Sequence, residues 1–160
     1  MPDEAALKKA RSRLLRLLSY RGRSRREAEE YLQRKGFDSA VISAVLAEME
    51  QWRYIDDRRF TEEFIANCQR RGWGPLRARF ALLSKGISRE TVEEGIALYY
   101  SPEKERTLAH KVFSKRNPYG ADEPDRGWIR RQAAFLQRRG FHDQVIRQVL
   151  QEHGHFWAVD

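Results

Sequence analysis

Asp56 and Asp57 are adjacent carboxylates, the kind of pair that can move a proton or hold a divalent cation. No histidine or third carboxylate follows at ligand spacing. The stronger reading is helix capping, in which one of the two accepts from orphan amides and favours the positive end of the next helix. Gly72-Trp73-Gly74-Pro75 has the glycine content of a phosphate loop but neither its spacing nor a preceding strand, so Pro75 reads as the first residue of a helix. His153-Gly154-His155 offers two metal ligands, a poor site without a third. His110 lies on an amphipathic pattern beside apolar positions and His142 at a helix start, so each reads as a structural or surface group. Cys68 aligns with Leu18 in an earlier copy of the repeat described below, and reads as a small packed hydrophobe. No nucleophile, base and orienting group can be assembled from these residues. A non-enzyme without cofactor or metal is expected.

The elements that would position these residues follow a pattern the chain writes more than once. The first copy runs from Arg21-Gly22 through Tyr31-Leu32-Gln33-Arg34-Lys35-Gly36-Phe37 to Val41, Ile42, Val45 and Leu46. The second runs from Arg71-Gly72 through Leu82-Leu83-Ser84-Lys85-Gly86-Ile87 to Val92 and Ile96. The third has Phe135-Leu136-Gln137-Arg138-Arg139-Gly140-Phe141, then Val145, Ile146, Val149 and Leu150. A period of about fifty residues signals stacked units that cover one another's apolar faces.

Apolar spacing predicts a basic amphipathic helix over residues 4–20, ended by Gly22 in the left-handed conformation. Ser24 and Glu27 form a capping box for a helix that stops at Gly36, and Asp38 caps a third helix ending near Trp52. The second unit repeats this plan, with helices closing at Gly72 and Gly86 and Ser88 capping the last. Ser101-Pro102 opens a seventh helix, residues 117–125 are an irregular loop, and two further helices span about 125–139 and 143–152. The fold class is all-α: three tandem three-helix, helix-turn-helix-like repeats in an elongated, curved array. Their expected bounds are 1–53, 54–100 and 101–160, the last with a frayed end onto which Phe156 and Trp157 could dock.

Lys and Arg outnumber Asp and Glu by 31 to 23, a net charge of +8, which suits an anionic partner. The single cysteine excludes an internal disulfide and fits a reducing compartment. With no bilayer-spanning or signal-peptide segment in view, a cytoplasmic location away from membranes is expected.

Three stretches carry a resemblance. Tyr54-Ile55-Asp56-Asp57-Arg58-Arg59-Phe60, Arg71-Gly72-Trp73-Gly74-Pro75 running on to Lys85-Gly86-Ile87, and Arg21-Gly22-x-Ser24 to Lys35-Gly36-Phe37 are similar to the signatures of the RecX family of recombination regulators. The similarity covers roughly residues 7–150 and is tightest in the middle unit. It implies a small all-helical protein that binds the RecA recombinase filament and inhibits its ATP hydrolysis and strand exchange. The motif residues Tyr54, Asp56, Asp57, Arg59, Phe60, Gly72, Gly74, Pro75 and Gly86 are carried over as structural family markers. One departure stands out: Arg53 occupies a position where glycine is common, which is expected to change the local turn.

Binding is the remaining class. A DNA reader of the helix-turn-helix kind would place the third helix of each unit in a groove. Ser39, Ser43, Ala47 and Glu48 in the first unit, and Glu90, Glu93 and Glu94 in the second, oppose that reading. Only Gln144, Arg147 and Gln148 in the third have donors suited to bases. The cations gather instead at the start and flank of each middle helix. Arg21, Arg23, Arg25, Arg26 and Lys35 serve the first unit; Arg70, Arg71, Arg77, Arg79 and Lys85 the second; Arg130, Arg131, Arg138 and Arg139 the third. All but Arg23 are the candidate partner-binding residues. A ribbon of this kind fits a long anionic groove, so a monomer on the RecA filament is expected, with single- or double-stranded DNA inside that filament as a further candidate contact. A protein acting directly on DNA is the alternative.

Overall fold

The computed structural model describes residues 2–121 and 123–157. All regular structure among them is helical: α1 (Glu4–Leu18), α2 (Arg25–Arg34), α3 (Ser39–Gln51), α4 (Asp57–Arg70), α5 (Pro75–Ser84), α6 (Arg89–Tyr99), α7 (Pro102–Arg116), α8 (Arg126–Arg138) and α9 (Asp143–Glu152). Local chemistry explains most of the starts. Ser24 Oγ accepts from Glu27 N while the Glu27 carboxylate accepts from Ser24 N, completing the capping box. Asp38 accepts from Val41 N, Asp56 from Arg58 N and Arg59 N, Ser88 from Thr91 N, and Asp125 from Trp128 N. Of the adjacent carboxylates, Asp56 is therefore the cap. Asp57 accepts from Arg25 N at 2.8 Å, tying α4 to the start of α2.

The helices pack in consecutive threes, because the extensive helix pairings join α1–α3, α4–α6 and α7–α9 among themselves. Each trio closes its own apolar cluster. Leu14, Leu32, Val45, Leu46 and Met49 anchor the first, Ile65, Leu82 and Val92 the second, and Leu136, Phe141, Ile146 and Leu150 the third. The 18.9 kDa chain exposes 10373 Å², against about 8,300 Å² expected for a compact monomer of that mass. Surface of that extent follows from units joined in a row instead of gathered round one core.

The joints use the middle helices. At the first, the α2 start sits on the α5 end: Ser24 Oγ donates to Lys85 O at 2.7 Å and Arg26 Nη2 to Ser84 O at 3.0 Å. At the second, the α5 start sits on the α8 end: Gly74 N donates to Arg139 O at 2.6 Å and Leu76 N to Gly140 O at 2.9 Å. Ser24 and Gly74 are both N-caps, and Lys85 and Arg139 both C-caps, so one contact is made twice in the same register. Each satisfies last-turn carbonyls with a neighbour's donors and brings a positive helix end to a negative one.

Three expectations need revision. Helix α1 ends at Leu18 with a right-handed cap at Ser19, and Gly22 does not take the left-handed conformation expected of it. The left-handed residue that was not foreseen is Arg53, at φ 60, in the turn where glycine is common. At the C-terminal end Trp157 packs on the third cluster but Phe156 stays 83% exposed. Beyond these, Ala158 to Asp160, which close the stretch expected to fray, lie outside the described residues.

Candidate anion-binding groove

A groove of about 570 Å³ opens beside the second joint, where the end of α4, the outer face of α7 and the end of α8 converge. Six cations line it: Arg70, Arg71, Lys111, Lys115, Arg116 and Arg139. Among the described residues no carboxylate does. Phe135 forms part of its wall.

Each cation is placed by local structure. Arg70 and Arg71 follow from the helical run that buries Phe60, Ile65 and Cys68 on the opposite face of α4. At a helix C-terminus their charge is favourable. Lys111 and Lys115 stand one turn apart on α7, away from buried Ala109 and Phe113, and Arg116 closes the helix. Arg139 ends α8 and donates from Nη1 to Arg71 O at 2.7 Å across the joint.

Neutral partners orient these guanidinium groups. Arg116 lies 4.0 Å and Arg139 5.0 Å from the Phe135 ring centre, and Arg116 Nε donates to Gln132 Oε1 at 3.2 Å. Arg71 stands 5.5 Å and Arg77 3.8 Å from the centre of Trp73. Arg70 Nη2 donates to Asn67 Oδ1 at 3.3 Å. Carbonyl, amide and π partners fix direction without cancelling charge, so the groove keeps a positive potential.

The other candidate residues are placed differently. Arg21 pairs with Glu27 at 2.8 Å, Arg25 with Glu50 at 2.6 Å, Arg26 with Glu30 at 3.3 Å and Arg79 with Glu93 at 2.8 Å. Lys85 lies 3.8 Å from Glu27, and Lys35 5.6 Å from the Tyr31 ring centre. Arg130, Arg131 and Arg138 are exposed on α8. The structure thus gathers Arg70, Arg71 and Arg139 into one groove and spreads the remainder over other faces. Lys111, Lys115 and Arg116 were not singled out from the sequence, although the spacing of Lys111 and Lys115 opposite an apolar face was a readable signal.

Cys68 and His142, both weighed for chemistry, occupy structural places. Burial pushes the Cys68 thiol up to about 11, against the pull of Arg71 and Arg77, which leaves an unreactive thiol at neutral pH. Burial likewise raises the Tyr100 phenol, which donates to Trp73 O at 2.7 Å. His142 is the N-cap of α9. Its N–H and Nδ1 both meet the buried Glu105 carboxylate, at 2.8 and 2.9 Å, so Glu105 caps that helix from α7. Arg23 Nε is buried without a partner, and burial, then the neighbouring Arg21, lowers its pKa. On α6, where Glu90, Glu93 and Glu94 are exposed, Glu93 and Glu94 each engage an arginine, Arg79 and Arg58. Among the described residues, no helix is long and apolar enough to cross a membrane.

Comparison with known proteins agrees with this architecture. The family model for the first three-helix domain of RecX matches residues 10–49, and that for the second three-helix domain matches residues 56–96. Regulatory protein RecX of Halorhodospira halophila is 33% identical over 144 residues, covering 89% of this chain and 87% of the relative. RecX of a Geobacillus species (strain WCH70) is 32% identical over 145 residues, covering 90% of this chain and 53% of the relative. The chain therefore spans about half the length of that Geobacillus protein. The crystal structure of RecX from Lactobacillus salivarius superimposes with a TM-score of 0.83 at 21% identity, over 92% of this chain and 96% of that one. In sequence along most of its length, and in its succession of three-helix units, the chain belongs to the RecX family.

Proposed function

We propose that this protein binds the RecA recombinase–DNA filament and restrains it, inhibiting ATP hydrolysis and strand exchange without catalysing a reaction itself. The observation that carries the proposal is the groove of six cations and no carboxylate at the second joint. Such a groove suits an anionic polymer, and a row of rigidly joined units suits a partner that repeats along its length. The row comprises three units, residues 1–53, 54–100 and 101–160, acting as a monomer in the cytoplasm. Lying across successive RecA subunits, it favours one filament geometry over those that turnover must visit. A ligand shifts an equilibrium only through such a difference in affinity between states.

The test is the DNA-dependent ATPase of RecA with increasing amounts of the protein. Turnover should fall to a plateau, and charge reversal of Arg70, Arg71 and Lys111 together should restore it. Undiminished turnover at saturation rejects the inhibitory role. Direct action on DNA is the second reading, favoured by the aromatic Phe135 among the groove arginines. It predicts tight binding to naked DNA whose salt slope drops by about one unit for each phosphate-contacting cation removed.

A further inference from the structure

The sequence offered His153-Gly154-His155 as two metal ligands, and the fold sets one of them, His153, against a histidine from another helix. His110 Nε2, on α7, faces His153 Nε2, just past α9, at 3.1 Å. Two ligands on a tetrahedral zinc ion with bonds of about 2.0–2.1 Å stand about 3.3 Å apart, so the imidazole pair already spans one edge of such a site. Glu152 Oε2 lies 3.9 Å from His110 Nε2, one side-chain adjustment from a third vertex. Among the described residues no three such donors already stand close enough to hold a metal ion, so the site forms only when Glu152 turns toward the imidazole pair. Arg106 is 3.8 Å from Glu152 Oε1 and opposes a cation, but it holds the oxygen remote from the pair.

We infer that His110, His153 and Glu152 form a binding site for a zinc-class divalent metal that clasps α7 to the end of α9. The surroundings are those of a ligand set. Ser114 Oγ lies 3.5 Å from His110 Nδ1, the ring nitrogen a metal-binding histidine turns to an outer partner so that Nε2 points at the ion. Phe113 packs on the His153 ring with centres 4.8 Å apart, and Trp128 holds His155 at 4.9 Å, giving the site an aromatic wall. Backbone geometry fixes His153 as well: its N–H donates to Leu150 O at 3.1 Å, and His155 N donates to the same carbonyl at 2.8 Å. Gly154, at φ +78, makes the turn between them. Water completes the coordination.

The test is calorimetric titration of the untagged full chain with Zn²⁺ in chelator-free buffer, with Co²⁺ as a spectroscopic probe of tetrahedral ligation. One metal per chain is expected, together with a rise in thermal midpoint in excess Zn²⁺. His110→Gln and His153→Gln should each weaken binding by at least about tenfold, with Glu152→Gln weakening it less. His153 is exposed and His110 only half-buried, so the variants should keep their helical circular dichroism. Absence of saturable Zn²⁺ binding by the parent chain overturns the assignment. Unchanged affinity in either folded histidine variant does the same.

Discussion

The two joints make the same contact with different materials. At the first, a side chain mediates, because Ser24 Oγ reaches Lys85 O, although a Cβ on Gly86 would still lie 2.6 Å from Arg26 Cβ. At the second, the backbones meet directly through Gly74 N and Arg139 O. A Cβ on Gly74 would lie 2.5 Å from Gly140 O, and one on Gly140 2.5 Å from Arg77 N. Charge differs as sharply. Glu27 pairs with Arg21 and Lys85 at the first joint, with Glu63 nearby, whereas among the described residues the groove at the second has six cations and no acid. A helix-to-helix contact can therefore be copied along a chain while its steric tolerance and electrostatics diverge, and the divergent joint is where an anion would bind.

The largest effect that tests this contrast is steric. Gly74→Ala should destabilise by about 3 kcal/mol, since the added carbon meets backbone that cannot step aside. Ser24→Ala loses a cap and the bond to Lys85 O, about 2 kcal/mol in all. Urea denaturation of the two variants checks the order. Equal losses would mean that the second joint relaxes as readily as the first.

Acid comes next. Burial pushes the Glu27 carboxyl up, but Arg21, the Ser24 amide and Lys85 outweigh it and hold the folded pKa below the ordinary glutamate value. A depressed carboxylate adds stability above its unfolded pKa, about 4.3, and loses it as pH falls through the folded value. Glu27→Gln should therefore be less stable than the parent at pH 7, and the gap should close below about pH 4. Amide exchange should show the first joint loosening over that range before the second, whose groove has no carboxylate to titrate. Simultaneous loosening would break the distinction.

How much of this was legible in the sequence depended on range. Capping is settled within four residues, so Ser24 with Glu27, Asp38 and Pro75 could be read directly, and the cap of α4 was narrowed to Asp56 or Asp57. The burial of Cys68 could be read from the period. Gly22 was misread because a glycine permits the left-handed conformation without requiring it. Ion pairs were illegible, since Arg25 finds Glu50 and Arg58 finds Glu94 only once a trio has packed. The groove was half legible. Arg70, Arg71 and Arg139 sit on the repeat, whereas Lys111, Lys115 and Arg116 lie on α7, where the third copy departs most from the first two.

The smallest effect concerns how the chain crosses each joint. The first crossing turns on Arg53 at φ 60; the second passes through Tyr100 at φ −122. Holding a non-glycine residue left-handed costs about 1 kcal/mol, which glycine removes, but glycine also gives the unfolded chain more freedom to lose, about half as much. Arg53→Gly should thus stabilise by only about 0.5 kcal/mol, while Arg53→Ala, which keeps both the Cβ and the backbone angle, should change little. Tyr100→Gly should do the reverse of Arg53→Gly, because it removes a buried ring and its bond to Trp73 O where no left-handed turn needs relief. Thermal melts of the three variants separate backbone from side chain. A loss in Arg53→Gly matched by Arg53→Ala would assign the arginine side chain a role at the first joint, where its backbone is engaged by N–H donation to Glu50 O at 3.1 Å and by the carbonyl accepting from Arg59 Nη2 at 3.0 Å.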